Sequence, residues 1–143
     1  MIQYFRTLLF AVLLLASFST AAPPKNVVIL IGDGMGFEQV KAAGIYANGA
    51  AGTLSFESLP YQADCTTYSA NSSITDSAAS ATAIATGHKV NNGVIILATP
   101  GDNSELETLL EYFKARNKST GLVTTTYVSH ATPAGFGAHE SSP

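Results

Sequence analysis

Apolar residues along the chain form several short, nearly continuous runs that predict β-strands. Asn26 to Ile31 is such a run ending in glycines, which is typical of a strand buried on both faces of a parallel sheet. Tyr61 to Tyr68, with several Thr and Tyr side chains, and Gly121 to Thr126 are also predicted strands. Val94 to Leu97 is predicted to be a short strand or an extended stretch. The chain therefore offers several segments for a sheet.

Two further segments carry the spacing of helices. Phe37 to Ala47 gathers its apolar residues on one side and is broken by the glycine-containing stretch Asn48 to Gly52. Ser104 to Glu107 fits a capping box, and the leucines and phenylalanine that follow recur at helical spacing as far as about Arg116. Strands that alternate with helices predict an α/β fold with a parallel sheet.

A third helix is predicted from Thr75 to Gly87. It begins with an acid and a hydroxyl, continues through small side chains, and ends at a glycine suited to a left-handed cap. Thr75 or Asp76 can cap the first free amides, which places Ser77 in the first turn, where amide donors and the helix dipole favour a bound anion. Taken alone, the serine could equally be part of the cap, and the small residues could serve only close packing.

Three chemically notable residues follow predicted strands or begin this helix. Asp33 comes directly after the first strand, Ser77 lies at the start of the helix, and Thr132 follows the strand that ends at Thr126. Ligands of open α/β sheets gather at the carboxyl ends of the strands. We therefore expect Asp33, Ser77 and Thr132 to meet at one edge of the sheet.

The reactivity of Ser77 needs more than its position. An alcohol is a weak nucleophile at neutral pH, and a helix terminus stabilises an anion by only about 0.3–2 kcal/mol. The sequence around Ser77 contains no G-x-S-x-G elbow, which disfavours a serine esterase. Divalent cations would activate the hydroxyl, and Asp33 could supply a carboxylate ligand. The alternatives for Gly32 to Gly36 are a tight turn or an imperfect dinucleotide-binding loop, since its spacing is G-x-G-x-G.

Composition narrows the class of protein. The 143 residues allow one modest domain, and 46% apolar with 12% charged residues indicate a globular chain. The net charge of −3 and the absence of a basic run give no support for nucleic-acid binding. Cys65 is the single cysteine, so no disulfide can form within the chain, and we expect it to be a small core residue.

Residues 1–21 are predicted to be an export signal. Arg6 supplies a positive start, Leu8 to Phe18 is apolar, and small residues follow at Ser19 to Ala22. The apolar stretch is short for a membrane span and no second one follows, although an uncleaved N-terminal anchor is an alternative. The expected mature chain therefore has no membrane span and is periplasmic or secreted.

Three stretches in this order, Ile31 to Gly36, Thr75 to Ala83 and His130 to Ala134, resemble the alkaline phosphatase family along nearly all of the mature chain. The resemblance implies a three-layer α/β sandwich with a largely parallel central sheet, of which residues 22–143 are the N-terminal part. It also implies hydrolysis of phosphate monoesters through a phosphoserine at alkaline pH, with two zinc ions and one magnesium ion. A homodimer is expected for a full-length form.

The resemblance also assigns roles to individual residues. Ser77 corresponds to the nucleophile and to a zinc ligand, while Asp33 bridges that zinc to the magnesium and Thr132 is a second magnesium ligand. His130 shapes the third metal site without touching the metal, which leaves magnesium or zinc open there. Asp76 corresponds to an acid that helps to orient the phosphate-binding arginine.

Two departures from the family pattern qualify these roles. The arginine belongs eleven residues after Thr132, a position held here by Pro143, and the remaining metal ligands belong to later parts of the family's chain. Because catalytic zinc usually takes three protein ligands, we predict that the 143-residue chain is an inactive N-terminal part of a phosphatase. Alternatives are a related sulfatase or phosphodiesterase, and a non-catalytic exported domain that binds phosphate or metal. A dinucleotide-binding domain is the weakest alternative.

Overall fold

The computed structural model describes residues 24–140. These residues divide into two units, residues 24–31 and residues 32–140. In the first unit, residues 24–31 contain neither helix nor strand, and Val28 and Leu30 are 82% and 92% exposed. The predicted export signal at 1–21 and the proline at the predicted arginine position, Pro143, lie outside the described residues.

The second unit is built around helices. Helix α1 spans Phe37–Asn48, a short 3₁₀ helix spans Ser55–Ser58, and helices α2, α3 and α4 span Ser77–Thr86, Leu109–Lys114 and Ala131–Ala134. The predicted helix from residue 37 is confirmed, and it ends where Gly49 adopts a left-handed conformation with φ of 79°. Within residues 24–140, no helix has both the length and the apolar content needed to cross a bilayer.

Helix α2 confirms the helix predicted from residue 75 to residue 87, including both ends. The Asp76 side chain accepts a hydrogen bond of 2.8 Å from the backbone N–H of Ala79, which satisfies one of the free donors of the first turn. Gly87 ends the helix with φ of 75° and donates its N–H to the carbonyl of Ala83. Small residues cover the packed face of the helix, and its buried members are Ala78, Ala79, Ala81, Thr82 and Ala85.

Helix α3 begins later than predicted. The capping box is formed by Thr108 and Glu111, not by Ser104 and Glu107, and the helix starts at Leu109. Both pairs share the same sequence pattern, but the segment before Thr108 is used for tertiary pairing. The N–H of Leu106 donates to the carbonyl of Ile96 at 3.1 Å, which keeps this segment extended. The helix prediction was therefore correct in type and wrong at its start.

Three of the strand predictions are wrong for the part of the chain that the structure describes, because residues 26–31, 61–68 and 121–126 form no strand there. Residues 94–97, predicted to be a short strand or an extended stretch, form no strand either, but they make the two isolated antiparallel bridges, Ile95 with Glu140 and Leu97 with Glu105. An apolar run has the composition of a strand, but a strand also needs the hydrogen bonds of a neighbouring ladder. Segment 61–68 lacks that ladder and is exposed, so Cys65 is an exposed thiol and not the predicted core residue.

The core of this unit surrounds α2. Ala78 packs with Ile95 and Ile96, and on the other side Ala81 and Ala85 pack with Phe136, which follows α4. Thr82 is fully buried, and its hydroxyl accepts the N–H of Ile96 at 3.1 Å and donates to the carbonyl of Val94 at 3.4 Å. These contacts fix α2 between the 94–96 segment and α4, so that the first residues of α2 and α4 have defined positions.

Candidate active site

Ser77 is the first residue of α2, and its hydroxyl points at a carboxylate far away in sequence. Its Oγ donates to both oxygens of Asp33, at 3.0 Å to Oδ1 and 2.9 Å to Oδ2. The serine is half-buried, so it is accessible to a ligand. Because Asp76 caps the helix, the Ser77 hydroxyl does not take part in capping and is available to react.

Asp33 lies in a glycine turn that leads into α1. Gly34 takes a left-handed conformation with φ of 69°, and the N–H of Met35 donates to the carbonyl of Gly32 at 3.2 Å. Gly36 then serves as the N-cap residue of α1. The turn holds the Asp33 carboxylate at the surface, beside the start of α2.

Thr132 joins the same carboxylate from α4. Its Oγ1 donates to Asp33 Oδ2 at 2.7 Å, so a single carboxylate accepts hydroxyl hydrogens from the first turns of two helices. The structure therefore brings together Asp33, Ser77 and Thr132, as the sequence predicted. It does so through the packing of α2 against α4, since the described residues contain no sheet whose edge could gather them.

These hydrogen bonds make Asp33 a stable anion. The hydroxyl of Thr132 has the largest effect, followed by that of Ser77, and both hold the pKa of the Asp33 carboxyl below its usual value. The nearby charge of His130 lowers this pKa further, while partial burial opposes the shift. The carboxylate is thus ionised at neutral pH, as a cation ligand must be.

His130 and Asp76 lie close to this cluster without joining it. His130 is exposed and provides the N-cap residue of α4, where its side chain makes no capping hydrogen bond. Asp76 uses both of its carboxylate oxygens on backbone N–H groups, those of Ala79 and Gly93, at 2.8 Å and 2.6 Å. The roles predicted for these two residues remain predictions, and Asp76 has a clear structural role as a cap.

Sequence reasoning missed Asn92, which it treated only as part of an Asn-Asn-Gly turn. The side-chain amide of Asn92 bonds to the backbone on both sides of Thr75, two residues before Ser77. A turn signal predicts where the chain reverses, but it does not show which distant backbone the turn will contact.

The oxygen atoms of the cluster fit part of a metal site. Carboxylate and hydroxyl oxygens are suitable ligands for magnesium, and zinc also accepts oxygen ligands. Asp33, Ser77 and Thr132 provide such oxygens around one point. Between residues 24 and 140, however, no group of three or more His, Cys, Asp or Glu side chains is arranged to hold a metal ion. The three residues could thus contribute ligands, but they do not complete a zinc site.

His139 lies outside the cluster and links three segments of the core. Its Nδ1 lies 3.2 Å from the carbonyl oxygen of Ile96, and its Nε2 lies 3.0 Å from Oε1 of Glu111. The other oxygen of Glu111 accepts the N–H of Thr108 in the capping box of α3. Both partners of His139 are acceptors, so the doubly protonated ring satisfies both bonds. His139 therefore has a structural role in which its charge matters.

Stability is expected to depend on pH through this pair. Burial disfavours the charged ring, but the bonds to Glu111 and Ile96 and the nearby carboxylates outweigh it and raise the pKa of His139 above 6.5. The bond from the Thr108 backbone and then that from His139 lower the pKa of Glu111 below 4.5. The contribution of His139 to the free energy of unfolding is complete below pH 6.5 and is lost as pH rises through the raised pKa. The contribution of Glu111 is lost as pH falls through its lowered pKa.

The change to test is His139→Gln. The loss in free energy of unfolding relative to the unchanged chain should be largest between pH 4.5 and 6.5 and should shrink at alkaline pH, as measured by urea denaturation across the range. The exposed His88 offers a control, since the free energy of unfolding of His88→Gln should stay within about 0.5 kcal/mol of the unchanged chain. An effect of His139→Gln that is the same at every pH would contradict the ion pair.

The described residues thus place a hydroxyl at the start of a helix and a second hydroxyl on one carboxylate. In a comparison with known proteins, the alkaline phosphatase family model matches residues 24–143. The chain belongs to the alkaline phosphatase family.

Individual relatives agree with this assignment. The chain is 43% identical over 126 residues to streptomycin-6-phosphate phosphatase of Streptomyces griseus, covering 85% of this chain and 28% of that protein. It is 42% identical over 127 residues to the alkaline phosphatase of Escherichia coli K12, covering 84% and 26%. The solved structure of a cold-active alkaline phosphatase from a psychrophilic Shewanella sp. matches with a TM-score of 0.60 and 36% identity, over 78% of this chain and 29% of that one. The chain thus spans less than a third of the length of these relatives.

Proposed function

We propose that the protein hydrolyses phosphate monoesters through a phosphoserine formed on Ser77, with highest activity at alkaline pH. The observation that carries this proposal is the contact of the Ser77 hydroxyl with both oxygens of Asp33, at 3.0 and 2.9 Å, on a carboxylate that Thr132 also contacts. The export signal predicted at residues 1–21 supports a periplasmic or secreted location, with residues 22–143 forming the N-terminal part of the phosphatase domain.

The residues of the cluster have different roles in this reaction. The first turn of α2 offers backbone N–H groups to the phosphate oxygens, and the helix dipole favours their negative charge. Asp33 holds the hydroxyl hydrogen of Ser77, which leaves the Oγ lone pairs free to face the phosphorus. In the first step the Oγ–P bond forms and Ser77 gives up its hydroxyl proton, while the bond from phosphorus to the alcohol oxygen breaks and the alcohol leaves with one proton, so that protons balance. Water then cleaves the phosphoserine, which restores the hydroxyl and releases inorganic phosphate.

Metal ions complete this proposal. Two zinc ions and one magnesium ion are proposed: Ser77 and Asp33 would contribute oxygens to one of the zinc ions, and Asp33 and Thr132 would contribute oxygens to the magnesium ion. When bound, such cations stabilise negative charge on the attacking and leaving oxygens. His130, which acts on Asp33 through its charge, would tune the third site and leave it open to magnesium or zinc. Asp76 would help to orient a phosphate-binding arginine, as the family resemblance implies.

The 143-residue chain alone is proposed to lack turnover. Catalytic zinc usually takes three protein ligands, and the oxygens of Asp33, Ser77 and Thr132 are too few for three metal ions. The proposed active form is a longer chain in which these residues lie in a three-layer α/β sandwich with a largely parallel central sheet. A homodimer is the proposed assembly of that form.

A substrate panel tests the reaction class. The gene is expressed with any coding sequence that continues beyond codon 143, and the product is assayed with zinc and magnesium between pH 7 and 10. The panel contains an aryl phosphate, streptomycin 6-phosphate, an aryl sulfate and a phosphodiester. We expect turnover of phosphate monoesters that increases with pH and is lost with a chelator. Faster hydrolysis of the sulfate or the diester would instead indicate the related sulfatase or phosphodiesterase, and the 143-residue chain serves as the inactive control.

A second candidate function is binding without catalysis. It is motivated by the cluster itself, which gathers three oxygen-bearing side chains while no group of three His, Cys, Asp or Glu within residues 24–140 is arranged to hold a metal. Equilibrium dialysis of the 143-residue chain against zinc and against inorganic phosphate separates the two candidates. Tight binding, together with no turnover even by the longer product, would favour an exported phosphate- or metal-binding domain.

A further inference from the structure

One side-chain amide holds the backbone that leads into Ser77. The Nδ2 group of Asn92 donates to the carbonyl of Ile74 at 3.0 Å, and its Oδ1 accepts the N–H of Asp76 at 3.2 Å. The amide thereby bonds to the chain on both sides of Thr75. An asparagine amide carries the same kinds of donor and acceptor as a peptide group, so it can replace a neighbouring backbone segment.

Asn92 is itself fixed by the surrounding turns. Its backbone N–H donates to Oδ1 of Asn71 at 2.9 Å, and the hydroxyl of the buried Ser69 lies 3.1 Å from the same oxygen. The next residue, Gly93, has φ of 80° and donates its N–H to Oδ2 of Asp76 at 2.6 Å. The turn at Asn92 and Gly93 therefore holds the residue before Ser77 by its backbone and by its side chain.

The segment before Ser77 has few other long-range bonds among the described residues. The N–H of Ile74 is bonded locally to the hydroxyl of Ser72, and the Thr75 hydroxyl donates to the neighbouring carbonyl of Asp76. Ile74 itself is 77% exposed, so packing does little to fix it. Among the described residues, the long-range hydrogen bonds that hold the chain where it enters α2 come from the Asn92 amide and from the N–H of Gly93.

We propose that Asn92 is a positioning residue for Ser77. It touches neither substrate nor metal, and it acts by fixing Ile74 and Asp76 so that the Ser77 hydroxyl stays on the Asp33 carboxylate. This inference rests on the proposed function, in which Ser77 is the nucleophile. The donor of the amide matters as much as the acceptor, because an aspartate at this position would set an oxygen against the Ile74 carbonyl and a negative charge beside Asp76.

Amide hydrogen exchange and NMR of the full 143-residue chain test the proposal without any need for turnover. In Asn92→Ala, the Asp76 amide loses its acceptor and should exchange about two- to tenfold faster, the effect of losing one net hydrogen bond. The Ser77 amide resonance should move at the same time. The amide of Ile96, bonded to the buried Thr82 hydroxyl, should keep its protection. Asn92→Asp, which preserves size, should move the Ser77 resonance as well.

Asn91→Asp is the matched control. It makes the same chemical change one residue earlier, and among the described residues the Asn91 side chain has no hydrogen bond to the segment before Ser77, so the resonances of Asp76 and Ser77 should stay in place. An unchanged Ser77 resonance in Asn92→Ala and Asn92→Asp would overturn the proposal, as would equal acceleration of every amide including Ile96. Failure of the proposed function is a separate result, because it would appear as turnover that survives loss of the Ser77 hydroxyl.

Discussion

Ser77→Ala is expected to lower kcat for an aryl phosphate by at least about 10³-fold in a catalytically competent, longer form of the protein, as removal of a catalytic nucleophile does in other hydrolases. The substitution removes the oxygen that forms the bond to phosphorus in the proposed reaction. It leaves Asp33 bonded to Thr132 at 2.7 Å, so the carboxylate keeps one of its partners. The measurement is steady-state hydrolysis with zinc and magnesium present.

The fold offers two controls for this result. Asp76, not Ser77, caps α2, so Ser77→Ala loses only the hydrogen bond to the exposed Asp33, and the free energy of unfolding should fall by no more than about 1.5 kcal/mol. Ser80 lies one turn further along the same helix, and its hydroxyl donates to the Ser77 carbonyl at 3.3 Å without reaching Asp33. Ser80→Ala should therefore retain most of the activity. Undiminished hydrolysis by Ser77→Ala would refute the assignment of the nucleophile.

The sequence predicted those features whose causes lie within a few residues of each other. Both ends of α2 were predicted because Asp76 and Gly87 act on backbone groups three or four residues away. The start of α3 was not predicted, since Ser104 and Thr108 both begin a capping pattern. The choice between them depends on the bond from Leu106 to Ile96, ten residues back, which no local pattern records.

The candidate site was predicted from the edge of a parallel sheet, and the described residues contain no such sheet. Asp33, Ser77 and Thr132 were expected to meet at the edge of a parallel sheet, but the contact is made by α2 and α4, whose small residues let the helices approach closely. Asn92 was missed because a side-chain bond across 16 residues leaves no periodic signal in the sequence. The meeting of Asp33, Ser77 and Thr132 was thus easier to predict than the secondary structure that brings them together.

Gly135→Ala is expected to destabilise the unit by about 1–3 kcal/mol, the usual effect of overpacking a close contact. Gly135 follows α4, is buried and has an ordinary φ of −62°, so its backbone would accept any residue. The obstacle is steric. A Cβ atom there would lie 2.5 Å from Cβ of Ala81 and 3.2 Å from its carbonyl carbon, so α2 would have to move away to make room for it.

Gly137→Ala is the control for that change, because its Cβ would meet Leu122 at an ordinary 3.7 Å. Each substitution reduces the freedom of the unfolded chain by a similar amount, about 0.4–1 kcal/mol, so the difference between them in urea denaturation isolates the steric effect. Equal stability of the two variants would contradict the close contact of α2 and α4. Since α2 carries Ser77 and α4 carries Thr132, forcing the helices apart should also weaken the shared contact with Asp33. A single methyl group, remote from the carboxylate, should therefore disturb the candidate site through packing alone.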